Sequence, residues 1–136
     1  MIDALTIRPV GSAMERQACA RLMSESEPWL TLQRDFETSL ALVSDPTRET
    51  YWIEHAGTWA GFLLLYLQGP FRGYIQTICL TPDVRGRGLG TAVLDWAEAR
   101  RRLILSTRQD AFTTPCWNAR WGYGKININR LMEIEP

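Results

Sequence analysis

The chain has 136 residues, the length of one ordinary globular domain. Apolar residues make up 46% of it and charged residues 22%, so it can bury a core and is neither disordered nor a disulfide-stapled miniature fold. Fifteen basic side chains balance fifteen acidic ones. Because non-specific binding of nucleic acid or of an anionic membrane surface needs an excess of cationic groups, we expect neither partner.

The cysteine and histidine content predicts a reduced protein without a metal site. The three cysteines, Cys19, Cys79 and Cys116, are far apart, and His55 is the only histidine. The N-terminus lacks a basic leader followed by an apolar run, and the longest apolar stretch, 59–67, is too short to span a bilayer. We therefore expect a cytoplasmic protein.

Hydrophobic periodicity divides the chain into alternating strand and helix patterns. In chain order they predict a strand at 4–8, helices at 12–23 and 31–43, strands at 50–55, 59–67 and 73–80, a helix at 91–102, and strands at 103–106 and 126–134. Ser12 is the expected N-cap of the first helix. This order predicts an α+β fold in which helices cover the faces of an antiparallel sheet. No linker or repeat interrupts it, so we expect one domain over 1–136.

The most informative segment is the glycine-rich turn between the predicted strand at 73–80 and the predicted helix at 91–102. It reads Arg85-Gly-Arg-Gly-Leu-Gly90. Glycines allow a tight turn and a close backbone approach, and the free N–H groups at a helix start attract phosphate. The spacing differs from the dinucleotide fingerprint, and no lysine follows as in a Walker A loop. A turn without any ligand is the alternative.

The segment from Ile78 to Thr91 resembles the acetyl-CoA-binding core of the GCN5-related N-acetyltransferase (GNAT) family. In that family a strand ending in V/L-x-P is followed by R/Q-x-x-G-x-G/A and a helix, and the preceding elements come in the same order as here. The resemblance covers residues 4–102, with the specific motif at 76–95. It implies an α/β fold of the α+β type, with a mixed, mostly antiparallel sheet. It also implies acetyl-CoA as co-substrate, a small-molecule or peptide amine as acceptor, and a homodimer, since dimers are common in the family.

The resemblance implies roles for individual residues. The backbone of Ile78, Cys79 and Leu80 would bind the pantetheine arm as if it were an extra strand. The N–H of Leu80 would also polarise the acetyl carbonyl while the amine attacks it directly. The amides expected to hold the pyrophosphate are those of Arg85, Gly86, Arg87, Gly88, Leu89, Gly90 and Thr91.

The positions that usually transfer protons in this family are not ionisable here. Gln76 occupies the usual base position and could hold a water, and Asn118 occupies the usual acid position. Tyr123, in the late segment Trp121-Gly-Tyr123, is the remaining catalytic candidate. The weaker candidates are side chains more readily explained by packing or solvation, namely Tyr74, Glu27, Asp35 and Glu37.

Two questions stay open at the level of sequence. Trp29, between the first two helices, fits an acceptor-pocket wall and a core anchor equally well. The leading function is an acetyl-CoA-dependent N-acetyltransferase. The alternatives are a coenzyme-A-binding module with impaired catalysis and a phosphate- or nucleotide-binding domain.

Overall fold

The computed structural model describes residues 4–66, 74–108 and 125–126. The helices in these ranges are α1 (Ala13–Ser24), α2 (Phe36–Val43) and α3 (Leu89–Ser106), and the strands are β1 (Leu5–Pro9), β2 (Arg48–His55), β3 (Thr58–Tyr66), β4 (Tyr74–Leu80), β5 (Thr107–Arg108) and β6 (Lys125–Ile126). Strands β1 to β4 form one antiparallel sheet in chain order, and β5 pairs with β6. The predicted α+β architecture with an antiparallel sheet is confirmed.

The chain divides into two compact units, Met1–Leu94 and Asp95–Pro136. The four-stranded sheet, α1, α2 and the start of α3 belong to the first unit. The single domain over 1–136 therefore stays a prediction. Among the helices of the described ranges, none is long and apolar enough to cross a membrane.

Helix α1 begins where the sequence predicts. The Ser12 hydroxyl accepts the Glu15 N–H at 3.1 Å, and the Glu15 carboxylate accepts the Gly11 N–H at 2.8 Å. Arg8, on β1, donates to both oxygens of the same carboxylate, at 2.8 and 3.1 Å. The bonds from Arg8 and Gly11 lower the pKa of Glu15. One carboxylate thus caps α1 and ties it to β1.

Helix α2 begins at Phe36, so the predicted start at residue 31 is wrong. Asp35 accepts the Thr38 N–H at 2.8 Å and is the N-cap. The Glu27 carboxylate accepts both the N–H and the hydroxyl of Thr31, at 3.2 and 2.7 Å. Because these side chains bond nearby backbone, residues 31–33 form turns and not helix. Glu27 and Asp35, weighed above as catalytic candidates, are structural in this arrangement.

The core of the first unit lies on both faces of the sheet. One cluster of buried side chains joins the two helices α1 and α2 to the sheet, and it includes Cys19, Met23, Phe62, Leu64 and Cys79. Since side chains alternate along a strand, the fully buried Leu63 and Leu65 point to the opposite face. Residues 60–65 of β3 are therefore buried on both sides of the sheet, which explains the nearly continuous apolar run in the sequence.

The predicted strand at 103–106 is wrong, because α3 continues through Ser106. The run Arg100-Arg-Arg-Leu-Ile-Leu contains good helix formers and neither glycine nor proline, so nothing in it ends the helix. The predicted strand at 126–134 falls almost entirely outside the described residues, which include only Ile126 of that range, in β6.

Candidate functional site

The glycine-rich turn connects β4 to α3 and is exposed from Arg85 to Gly88. Gly86 and Gly88 have φ values of 75° and 83°, in the left-handed region that favours glycine. The first bond of α3 runs from the Ala92 N–H to the Gly88 carbonyl at 3.2 Å. The amides immediately before Ala92 therefore precede the helical bonding pattern, as at the start of any helix. Exposed amides at a helix N-terminus can bind an anion.

Both the backbone N–H and the guanidinium of Arg85 form hydrogen bonds within the protein. Its N–H donates to the Pro82 carbonyl at 3.4 Å, so the row of open amides begins at Gly86. Its Nε donates to the Leu80 carbonyl at 2.9 Å, and its terminal nitrogen donates to the Ser26 hydroxyl at 3.1 Å. The Arg85 guanidinium therefore connects the end of β4 to the segment after α1.

In the described part of the sheet, β4 is an edge strand, as is β1 at the opposite side. The Thr81 N–H donates to the Ala60 carbonyl at 2.8 Å. Bonded and non-bonded pairs alternate between antiparallel strands. The next pair, Gly61 with Leu80, is therefore non-bonded, and the N–H and carbonyl of Leu80 point away from β3. The bond from Arg85 to that carbonyl agrees with this direction.

The same alternation separates the other two positions predicted to bind pantetheine. Cys79, opposite Phe62, directs its N–H and carbonyl into β3, whereas Ile78, opposite Leu63, directs them to the open edge. Of the three predicted strand positions, Ile78 and Leu80 present backbone groups to the open edge and Cys79 does not.

A β-bulge interrupts β4 at Gln76. Leu64 pairs with Thr77 and Leu65 pairs with Ile75, so Gln76 is an extra residue without a partner in β3. The bulge places Gln76 and Thr77, which are neighbours in sequence, on the wall of one cavity. The side-chain amide oxygen of Gln76 (Oε1) accepts the Arg48 Nε–H at 2.7 Å.

The cavity beside the bulge has a volume of about 590 Å³. Its described lining consists of aromatic, apolar, hydroxyl, amide and arginine side chains, namely Trp29, Leu32, Arg34, Arg48, Tyr66, Tyr74, Gln76 and Thr77. Trp29 lines this cavity and also packs against the core cluster.

A model of the acetyltransferase (GNAT) family matches residues 14–114, which include the whole glycine-rich turn. This chain belongs to the GNAT acetyltransferase family. Family membership implies acetyl transfer, and GNAT proteins typically use acetyl-CoA. A comparison with curated protein sequences gives no match.

Solved structures share the GNAT fold with this chain. An acetyltransferase from Thermus thermophilus is 21% identical, with a TM-score of 0.54 over 72% of this chain and 70% of the other. A ribosomal-protein-alanine N-acetyltransferase from Brucella melitensis biovar Abortus 2308 is 22% identical, with a TM-score of 0.52 over 71% of each chain. A transcriptional regulator from Bacillus halodurans C-125 is 16% identical, with a TM-score of 0.52 over 71% of this chain and 73% of the other.

Not every predicted site residue of this GNAT protein lies in the described ranges. Tyr123 and Asn118 lie outside them, while Tyr74 lines the cavity and is 53% exposed. Arg34 and Arg48 are cavity residues that sequence reasoning missed. Arg48 meets Gln76 across 28 positions of sequence, so no local pattern could have identified the pair.

The two described cysteines are unsuited to nucleophilic catalysis. Burial raises the pKa of the Cys19 thiol to about 12 and also raises the pKa of the Cys79 thiol, although Ser26 and Arg85 oppose the second shift. A thiol with a raised pKa is poorly ionised near neutral pH.

Proposed function

We propose that this protein is an N-acetyltransferase that moves the acetyl group of acetyl-CoA to a primary amine. The observation that carries the proposal is the continuity between the open edge of β4 and the exposed amides that follow Arg85. A CoA thioester needs such a pair of sites, because its pantetheine arm carries amides and its pyrophosphate carries negative charge. Membership of the GNAT family supports the same reaction.

The donor would be held mainly by backbone groups. Ile78 offers its N–H and carbonyl in the manner of a strand edge, which suits the amides of pantetheine, whereas the Leu80 carbonyl already accepts from Arg85. The pyrophosphate would lie on the amides of Gly86 to Thr91, at the positive end of α3. Arg87 is exposed in that turn and would add a charged donor.

The reaction is a direct displacement. The neutral amine nitrogen forms a bond to the acetyl carbon, the bond from that carbon to sulfur breaks, and one amine proton ends on the released thiol. The Leu80 N–H, directed to the open edge, would bond to the carbonyl oxygen as it gains charge. Holding both substrates in place supplies much of the acceleration.

Proton transfer would not involve Gln76 as a base. Its side-chain amide oxygen accepts a hydrogen bond from Arg48, so the other polar group of the side chain is an NH₂, which only donates. We propose that water removes the amine proton at the bulge. We propose Tyr123 as the acid for the thiolate, on its resemblance to the late family segment.

Ligand-dependent thermal stability tests the donor site. Acetyl-CoA at about 100 times its Kd should raise Tm by roughly 10 °C. ATP and NAD should have no such effect. Gly88→Glu should abolish the increase, because a carboxylate would repel the pyrophosphate. Gly57→Glu is the matched control, since Gly57 has a similar φ of 78° and lies in the turn between β2 and β3. An undiminished shift in Gly88→Glu would refute the assigned site.

Release of free thiol in the presence of an amine panel tests catalysis. Thiol release together with acetylated amine supports the enzyme. Stabilisation by acetyl-CoA without release from any amine would instead identify the CoA-binding module, which the non-ionisable Gln76 favours.

A further inference from the structure

We infer that the acceptor is a small amine that also carries a carboxylate, and that Arg34 recognises this carboxylate. The inference deepens the proposed function and rests on it. The side chains around the 590 Å³ cavity carry it: two are arginines, and none of its described lining residues is an aspartate or glutamate. A cationic acceptor such as a polyamine would be repelled by these two arginines, and the described lining residues offer it no carboxylate.

The two arginines differ in what already neutralises them. Arg48 is 17% exposed, forms an ion pair with Asp45, and lies 4.9 Å from the centre of the Tyr66 ring. The Asp45 carboxylate therefore neutralises the charge of Arg48, and the Arg48 side chain holds Gln76 in place through a hydrogen bond. Arg34 is exposed, and within residues 4–66 and 74–102 no carboxylate forms an ion pair with it. Among the described lining residues, Arg34 is therefore the arginine whose charge no ion pair offsets.

The remaining polar groups also suit an anion. Gln76 presents an NH₂ once its oxygen is bound by Arg48, and Thr77 adds a hydroxyl. A carboxylate accepts several hydrogen bonds and pairs with the two parallel N–H groups of a guanidinium. Trp29, Tyr66 and Tyr74 give the same cavity an aromatic surface, which suits an acceptor with an apolar side chain. An amino acid with an apolar side chain has this combination of groups.

Binding of the acetylated product tests the inference without turnover. The probes are N-acetyl-L-phenylalanine and its C-terminal amide, which differ only in the carboxylate, titrated into the full chain saturated with CoA. We expect the acid to bind at least about tenfold more tightly, the value of one charge-assisted hydrogen bond. Equal affinities, or tighter binding of the amide, would overturn the inference.

Variants of exposed arginines assign the effect to a residue. Arg34→Gln should remove the difference between acid and amide while leaving CoA affinity unchanged. Arg21→Gln makes the same charge change on α1, outside the cavity lining, and should preserve the difference. If both variants keep the preference for the acid, Arg34 is not the carboxylate site and the inference fails.

The rates of thiol release with four amines distinguish a failure of this inference from a failure of the proposed function. The panel contains L-phenylalanine, L-phenylalaninamide, 2-phenylethylamine and spermidine. Fastest thiol release with 2-phenylethylamine or spermidine would leave the enzyme proposal intact and overturn the acceptor class. Selective binding of the acid without thiol release from any amine would keep the carboxylate site and refute acetyl transfer.

Discussion

Substitution of Gly61 by alanine tests the close approach of β3 to the end of β4. Gly61 has a φ of 141°, and a Cβ added there would lie 2.1 Å from the Cys79 carbonyl oxygen and 2.8 Å from the Leu80 Cα. Real Cβ atoms keep at least 3.0 Å from such atoms, so the two backbones must separate by about 0.9 Å. The atoms in the way are backbone, and no side-chain rotation can relieve the contact.

Two effects contribute to the expected loss of stability, namely backbone strain and overpacking. A residue forced into a sparsely populated φ region costs roughly 1–3 kcal/mol, and overpacking costs roughly another 1–3 kcal/mol. We expect Gly61→Ala to lower the free energy of unfolding by about 4 kcal/mol, a large part of the roughly 5–15 kcal/mol that stabilises a domain. Gly57→Ala is the control. Its φ is 78° and nothing lies within 4 Å of the added Cβ, so about 1–2 kcal/mol is expected.

The same displacement should impair catalysis. The Leu80 N–H moves with its strand, and a misplacement of about 1 Å can cost roughly 100-fold in rate. Urea denaturation gives the stability of each variant, and thiol release at a temperature where Gly61→Ala remains folded gives kcat. A Gly61→Ala protein as stable and as active as Gly57→Ala would refute the reasoning about this contact.

Two further predictions concern the polar contacts around the sheet. Glu15→Gln should cost about 1 kcal/mol at pH 7. Because the folded-state pKa of Glu15 is lowered, its contribution is present above its unfolded-state pKa and is lost as the pH falls through the folded-state value. Urea denaturation of wild type and variant should therefore converge in acid, and a constant difference at all pH values would contradict this. Arg85→Ala should lower kcat about tenfold with little change in the Kd of CoA, because its guanidinium bonds to Leu80 and Ser26. Titration of CoA checks this, and a weakened Kd with unchanged kcat would contradict it and indicate that the Arg85 guanidinium contacts CoA.

Local sequence determined the parts of this protein that depend on neighbouring residues. The Ser12 cap, the strand patterns and the glycine-rich turn before α3 each reflect interactions within a few positions, so their residue types identify them. The boundaries were less certain where two local signals compete. Thr31 lies in a helical pattern, yet Glu27 binds its backbone and Asp35 caps the helix later.

Tertiary structure alone decided the parts that depend on strand register. Whether Cys79 or Leu80 offers its backbone to a ligand changes with a shift of one residue in the pairing of β3 with β4. The bulge at Gln76 and its bond to Arg48 likewise join residues 28 positions apart. Arg34 becomes a candidate for binding the acceptor carboxylate only because the turns before α2 bring it to the same cavity. Such pairings depend on how distant strands meet, and no single segment of the sequence encodes them.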